Sequence, residues 1–153
     1  MNQFEADRYR RALEDSVPFK GLPPSALEQI MERGLLLEAK KDGVVLFEHM
    51  RGGLGLYVIL HGEVEIFHSD GSGAGPGSLG TRLNKLGRGE CFGEYSLVDG
   101  KTTSASAKAV DDAKLFFLPG GEFSRIVESD ALAAKVIFRN LLLLLVTRLR
   151  QKM

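Results

Sequence analysis

The sequence lacks the features that direct a chain out of the cell, into a membrane or onto nucleic acid. Cys91 is its single cysteine, which rules out an internal disulfide and a cysteine-rich metal site. Its 20 basic residues equal its 20 acidic residues, so it has no basic excess for non-specific nucleic-acid binding. The N-terminus lacks the apolar core of a secretory signal, and the longest apolar run, residues 141–146, is too short to span a bilayer. These absences predict a cytoplasmic protein that binds neither membrane nor nucleic acid.

Catalytic and metal-binding patterns are missing as well. The three histidines form no H-x-H pair, which a metal-bearing β-barrel of the cupin type requires. Glu94 is interpreted as a lone carboxylate without a partner base for acid–base catalysis. Cys91 precedes the motif FGE and is expected to be a small core residue rather than a nucleophile. The sequence therefore predicts no enzymatic activity, no metal and no resident cofactor.

The apolar pattern predicts a β core between helices. The chain is long enough for one domain with a real core. Two short helices are predicted within residues 1–34, with Gly34 as a C-cap. From residue 35 to 118, short apolar runs recur between glycine-rich turns, which favours a sandwich or barrel. The glycine-rich segment 69–80 lacks GK[ST] and a following helix, so it is expected to be a hairpin tip. Helices return in residues 119–153.

The segment 87–107, GRGECFGEYSLVDGKTTSASA, carries the candidate binding chemistry. A glycine-rich turn leads into FGE, a short helix-like turn, a loop and a strand of small residues. Backbone N–H groups at the start of a short helix favour an anion. Gly93 allows a ligand to approach the backbone, and Glu94 can accept hydrogen bonds from a polyol. Further hydroxyls follow at Thr102, Thr103, Ser104 and Ser106.

The last helix, predicted over residues 131–151 with a cap at Ser129 or Asp130, is apolar on nearly every face. A helix that lies on its own domain needs only one apolar stripe, so a second cover is expected. The same helix of a second subunit would supply it, which predicts a homodimer. Two alternatives remain open: burial within one domain, and continuation into a further domain. Its basic residues are expected to stay solvated: Lys135, Arg139, Arg148 and Arg150.

The ordered motifs resemble the cyclic-nucleotide-binding domain of catabolite-activator-type regulators, kinase regulatory subunits and gated channels. The resemblance runs through PFKGLPPSALEQI, VVLFEHMRGGLGLYVILHGEVEIF, LGRGECFGEYSLVDGKTTSASA and KLFFLPGGEFSRIV, and covers nearly the whole chain. It implies a mainly β fold: an eight-stranded antiparallel β-roll (a double-stranded β-helix or jelly roll) over residues 35–118. N-terminal helices would precede the roll, and lid or dimerisation helices would follow it. Segment 87–107, hereafter the cassette, would bind the ligand.

The resemblance also implies a set of ligand-binding residues within the cassette. Gly93 matches a backbone contact, Glu94 matches the carboxylate that accepts the ribose 2′-hydroxyl, and Ser104 matches the small residue just after the family's arginine. Phe92 and Tyr95 lie directly before Gly93 and directly after Glu94, and both are predicted to contact the ligand. Thr103 stands where nucleotide-binding members carry the arginine that pairs with the cyclic phosphate, and it has no charge to offer. Nearby cations are expected to be solvated rather than to replace it: Arg51, Arg82, Arg88 and Lys101.

Two functions are therefore predicted. The first is a stand-alone regulatory sensor domain that binds cyclic AMP or cyclic GMP weakly, or another small ligand, and signals through its C-terminal helices. The alternative is a degenerate module that acts as a dimerisation or protein-interaction scaffold without a nucleotide ligand. No helix-turn-helix follows the last helix in this sequence, so DNA binding is not expected.

Overall fold

A computed structural model of the chain describes residues 3–46, 54–68, 81–100 and 105–152. The described helices and strands are α1 (Gln3–Glu14), α2 (Pro24–Arg33), β1 (Leu35–Ala39), β2 (Val44–Leu46), β3 (Gly55–His61), β4 (Val64–His68), β5 (Thr81–Leu86), β6 (Cys91–Phe92), α3 (Glu94–Asp99), β7 (Ser106–Ala109), β8 (Ala113–Pro119), α4 (Gly120–Ser129) and α5 (Ala131–Lys152). The order of elements confirms the predicted β-roll between helices.

The strands form two four-stranded sheets, in the orders β1-β8-β3-β6 and β2-β7-β4-β5. Every strand pairing between described residues is antiparallel. Strand β3 explains how the two sheets share one core, because alternate side chains of a strand point to opposite faces. Leu56 and Val58 pack with the helices, while Tyr57 and Ile59 pack between the two sheets. Because both faces of β3 are buried, its sequence is a nearly continuous run of apolar residues.

Gly34 ends α2, but for a different reason from the one predicted. Its N–H donates to the Ile30 carbonyl oxygen at 3.0 Å, yet its backbone is extended (φ −92°) and not left-handed. A Cβ at this position would overlap the ring of Phe116, which is fully buried in the core. Glycine is needed here because an aromatic side chain from β8 occupies the space that its own side chain would take.

Helix α5 is capped and positioned by polar side chains. The Ala133 N–H donates to the Asp130 carboxylate at 3.0 Å, which confirms the predicted cap. Asn140 Nδ2 donates to the carbonyl oxygens of Pro18 and Lys20, both at 2.9 Å, and fixes the middle of α5 to the loop after α1. These bonds set the position from which the second half of α5 extends.

The apolar residues of α5 are divided between one buried stripe and a large exposed surface. The buried stripe consists of Ala133, Ile137 and Leu141, at spacings of four residues. The exposed apolar side chains are Leu132, Phe138, Leu142, Leu143, Val146 and Leu149. The alternative in which α5 is wholly buried within one domain is therefore wrong, and an apolar surface is left to cover.

Tyr57 gives the fold a measurable sensitivity to alkaline pH. Its ring stacks between Phe92 and Phe117, at centroid distances of 4.8 Å and 4.4 Å, and burial raises its pKa to about 12. A tyrosine in the unfolded chain loses its proton near pH 10, so the free energy of unfolding should fall by about 2–3 kcal/mol between pH 10 and 12. Tyr57→Phe keeps the stacking and should remove this part of the fall. Urea unfolding of both chains from pH 8 to 12 tests it, and parallel curves would contradict it.

Candidate functional site

The described part of the cassette is a strand, a left-handed turn and a short helix. Strand β6 pairs with β3, with Phe92 opposite Tyr57. Gly93 then adopts a left-handed conformation (φ 86°), and α3 begins at the next residue. The Ser96 hydroxyl donates to the Gly93 carbonyl oxygen at 2.9 Å, and the Gly100 N–H donates to the Ser96 carbonyl oxygen at 3.0 Å. Both ends of α3 are thereby held, and Glu94 is placed at its first turn.

Gly93 is required by the packing of the protein itself. A Cβ added to Gly93 would overlap the Gly55 carbonyl oxygen of β3 and lie 3.2 Å from Cδ2 of Tyr57. The predicted ligand contact of the Gly93 backbone stays a prediction, and the packing against β3 is a separate reason for glycine at this position. The absence of a side chain therefore lets the cassette pack against the sheet.

Glu94 forms an ion pair with Arg148 of α5. Glu94 is 3% exposed, and Arg148 Nη1 donates to its Oε1 atom. Arg148 Nη2 also lies 3.4 Å from the Cys91 carbonyl oxygen. Burial lowers the pKa of Arg148, but the charge of Glu94 and hydrogen bonds to Glu94 and Tyr95 outweigh it, so the net pKa is raised. Arg148 is therefore a fixed positive charge on the carboxylate predicted to receive the ligand.

Arg148 is the residue that sequence analysis missed, since it was expected to be solvated at the end of the helix. Its guanidinium is instead drawn against α3, and only 23% of the side chain is exposed. One signal in the sequence could have found it. Arg148 lies seven residues after Leu141, two helical turns along the stripe that packs on the domain. A charged residue on the buried face of a helix needs a partner, and Glu94 is that partner.

A cleft of about 310 Å³ lies between α3 and α5, beside this ion pair. It is lined by Glu94, Tyr95, Val98, Asp99, Leu141 and Leu145. Tyr95, which is 45% exposed, lines the cleft together with Glu94. Phe92 is only 5% exposed and faces the space between the two sheets. Of the predicted contacts, Glu94 and Tyr95 therefore share one opening, and Phe92 supports it from within the roll.

Several other residues singled out in the sequence lie outside the part of the chain that the structure describes. Thr103 and Ser104 lie outside the described residues, and their ligand contacts stay predictions. The same holds for Arg51, Lys101 and the side chain of Arg82. Arg88 is exposed in the turn that precedes β6, as expected.

Among the described residues, the Cys91 thiol is unreactive and the acidic, histidine and cysteine side chains form no metal site. Cys91 is 1% exposed, and burial raises the pKa of its thiol far above the usual range, so the thiol stays protonated. Within residues 3–46, 54–68, 81–100 and 105–152, no three His, Cys, Asp or Glu side chains are grouped so that they could hold a metal ion. None of the described helices is long and apolar enough to cross a membrane.

Comparisons with known proteins agree with this architecture. The cyclic nucleotide-binding domain family model matches residues 36–130. The cyclic AMP receptor protein of Thermus thermophilus is 32% identical over 142 residues, which are 91% of this chain and 60% of that protein. The crystal structure of the Thermus thermophilus catabolite activator protein has a TM-score of 0.73 and 28% identity, over 90% of this chain and 60% of its own. The sensor domain of the transcriptional regulator DNR from Pseudomonas aeruginosa has a TM-score of 0.74 and 22% identity, over 99% and 94%.

Proposed function

This chain belongs to the cyclic nucleotide-binding domain family, and we propose that it is a ligand-responsive regulatory module rather than an enzyme. One observation carries the proposal: Arg148 of α5 touches Glu94 of the cassette. A ligand that engages the cassette must act on a residue that is already in contact with the C-terminal helix. Ligand binding would then shift the positions of α4 and α5, because it favours one arrangement of that contact over another.

The proposed ligand is a cyclic nucleotide bound weakly, or another small molecule with hydroxyl groups. Glu94 supplies a carboxylate that can accept hydroxyl hydrogen bonds. The sequence supplies threonine at position 103, so the charge-assisted bond to a phosphate is absent. Such a bond contributes about 1.5–3 kcal/mol, or about 10- to 150-fold in affinity. The module is therefore expected to bind cyclic nucleotide less tightly than relatives that carry the arginine.

The exposed face of α5 supports a homodimer as part of the same proposal. Phe138, Leu142, Leu145 and Leu149 follow one another at spacings of four, three and four residues, which is the spacing of a coiled-coil seam. Leu142 and Leu149 are 62% and 63% exposed. These four residues, the α5 seam, form a surface that a second copy of the same helix can cover by two-fold symmetry.

A scaffold without a nucleotide ligand is the second candidate. Thr103 removes the phosphate partner, and Arg148 already neutralises Glu94. Both observations fit a module whose pocket has lost its ligand while the helices keep an interaction role. The two candidates differ in one measurable property, which is whether the cassette responds to a small molecule.

Introducing a positive charge at position 103 tests whether the cassette can bind a cyclic nucleotide. We expect Thr103→Arg to bind cyclic AMP about 10- to 150-fold more tightly than the wild type, because it supplies a guanidinium for the phosphate. Thermal shifts with cyclic AMP and cyclic GMP up to millimolar concentration provide the measurement, since ligand at 100 times its Kd stabilises the fold by about 2.7 kcal/mol. Thr102→Arg is the matched control, because it adds the same charge at the neighbouring position.

The outcomes separate the candidates. A shift in the wild type at millimolar concentration supports a weak cyclic-nucleotide sensor. A shift in Thr103→Arg but none in the wild type contradicts cyclic nucleotide as the natural ligand. No shift in either chain favours the scaffold.

A further inference from the structure

Helix α5 has a third face, which packs neither on its own domain nor in the α5 seam. It consists of Leu132, Arg139, Leu143, Val146 and Arg150, and all five side chains are exposed. At about 100° per residue they lie within an arc of about 60°, on the side of α5 that points away from the buried stripe. Their spacings of seven, four, three and four residues are those of a coiled-coil helix. We call this face the outer stripe.

We propose that the outer stripe docks an amphipathic helix of a partner protein, and that this helix carries acidic residues opposite Arg139 and Arg150. The outer stripe is separate from the cleft beside α3 and from the α5 seam. The proposal therefore needs no small-molecule ligand, and it holds for either candidate function.

The charge of α5 favours an acidic partner. The helix contains five basic residues and no acidic one, although the 20 basic and 20 acidic residues of the whole chain balance. Arg148 is paired with Glu94, whereas Lys135, Arg139 and Arg150 form no ion pair with any described residue. These exposed charges produce a positive potential along the helix, which attracts an acidic surface and repels a basic one.

The apolar residues of the outer stripe favour a helix that lies along α5. Leu132 and Leu143 are 55% and 56% exposed, so covering them removes aliphatic surface from water. The two arginines alternate with these residues along the same line. In a pair of helices, a polar residue on this line determines the register and the choice of partner. Arg139 and Arg150 are about 17 Å apart along the axis, which is the separation expected between the acidic groups of the partner.

A second copy of this chain does not fit the outer stripe. Two α5 helices that met through it would bring arginines into an apolar contact, and neither helix has a carboxylate to pair with them. The α5 seam, in contrast, consists of Phe138 and three leucines and has no charge to neutralise. The two faces therefore favour different partners, a second copy on the seam and an acidic helix on the outer stripe.

A lipid surface is also disfavoured. A helix that lies in a membrane interface buries a continuous apolar face and keeps its basic residues on the opposite, polar face. In the outer stripe, Arg139 and Arg150 lie on the same line as Leu143. Burial of Leu143 among acyl chains would therefore pull two guanidinium groups toward them. Carboxylates on a protein helix neutralise the same groups by charge-assisted hydrogen bonds.

Fluorescence anisotropy with two labelled synthetic peptides tests the docking surface. The acidic probe is a four-heptad helical peptide with leucine at positions a and d, except for glutamate at two of these positions with the spacing of Arg139 and Arg150. The basic probe has lysine at the same two positions. We expect the wild type to bind the acidic probe at least tenfold more tightly, because each position forms an ion pair with one probe and a repulsion with the other. Equal binding of the two probes, or binding of neither, overturns the proposal.

Reversing the two charges should reverse the preference. Arg139→Glu/Arg150→Glu is expected to bind the basic probe at least tenfold more tightly than the acidic one, which a chain that had failed to fold could not do. An unchanged preference for the acidic probe overturns the proposal. If the variant does not fold, the comparison of the two probes on the wild type still decides.

Two control chains keep the outer stripe intact. Lys40→Glu/Lys41→Glu makes the same change in net charge at the exposed turn between β1 and β2, and should keep the preference of the wild type. Leu142→Ala/Leu149→Ala shortens two side chains of the α5 seam and should keep it as well. Loss of the preference in the first chain would assign it to net charge, and loss in the second would place the probe on the seam. Either result overturns the proposal.

The other possible occupants are tested with the same charge-reversed chain. Vesicles of phosphatidylserine and phosphatidylcholine should not sediment the wild type. Sedimentation that Arg139→Glu/Arg150→Glu abolishes would mean that the outer stripe binds anionic lipid, and it overturns the proposal. Light scattering should give the same mass for the wild type and for this variant. A different mass would mean that the outer stripe contacts a second copy, which overturns the proposal too.

Discussion

Gly93→Ala should destabilise the fold by about 2–5 kcal/mol, which lowers Tm by about 4–20 °C for a chain of this size. Two costs add. The left-handed backbone (φ 86°) costs an alanine about 1–2 kcal/mol, and the new Cβ overlaps the Gly55 carbonyl oxygen. That oxygen belongs to the backbone of β3, so it cannot move aside as a flexible side chain would. The strain should displace the first turn of α3, where Glu94 lies.

Gly100→Ala is the matched control for this prediction. Gly100 closes the same helix, also in a left-handed conformation (φ 68°), but a Cβ there would meet no atom of the described residues within 4 Å. Gly100→Ala should therefore carry only the conformational cost of about 1–2 kcal/mol. Calorimetry or urea unfolding of the two variants measures the difference. Equal losses would mean that the contact between Gly93 and β3 contributes nothing.

Leu142→Glu combined with Leu149→Glu should turn a dimer into a monomer. Burying a leucine contributes about 1.5–3 kcal/mol, and the double change removes four leucines from a two-fold interface. The loss of about 6–12 kcal/mol corresponds to at least four orders of magnitude in Kd, before the repulsion between the introduced carboxylates is counted. Light scattering at micromolar concentration should report twice the monomer mass for the wild type and a single mass for the variant.

The control for the dimer places the same charges on the other side of α5. Thr147 and Gln151 are exposed and lie away from the α5 seam. Thr147→Glu combined with Gln151→Glu should leave the mass unchanged. A monomeric wild type contradicts the homodimer outright, and dissociation by the control would point to charge rather than to the seam.

Local patterns in the sequence were sufficient for much of the fold. The cap at Asp130 is a property of a few neighbouring residues, and it appears in the structure as expected. Strand β6, only two residues long, is too short to show any period, and it exists because β3 provides a partner for it. Elements whose stability comes from neighbours distant in sequence are the ones that a pattern cannot reveal.

The candidate site also has features that neighbouring residues encode and features that depend on residues distant in sequence. The motif FGE predicted where Glu94 would lie on the cassette, because turn and helix start are encoded locally. Its partner Arg148 is 54 residues away, and the pairing depends on how α5 crosses α3. Likewise, Gly34 reads as a helix cap from its neighbours, whereas its contact with Phe116 arises only when β8 is in place. The pairing of Glu94 with a positive charge is therefore visible only in the tertiary structure.

The buried thiol of Cys91 makes this protein suitable for distance measurements by site-specific labelling. Because Cys91 is the single cysteine and stays protonated in the core, thiol-reactive probes should modify it slowly in the folded state. A pair of exposed cysteines can therefore be introduced without removing the native one. Val98 on α3 and Val146 on α5 are 64% and 38% exposed, and spin labels at these two positions would report the separation of cassette and helix directly.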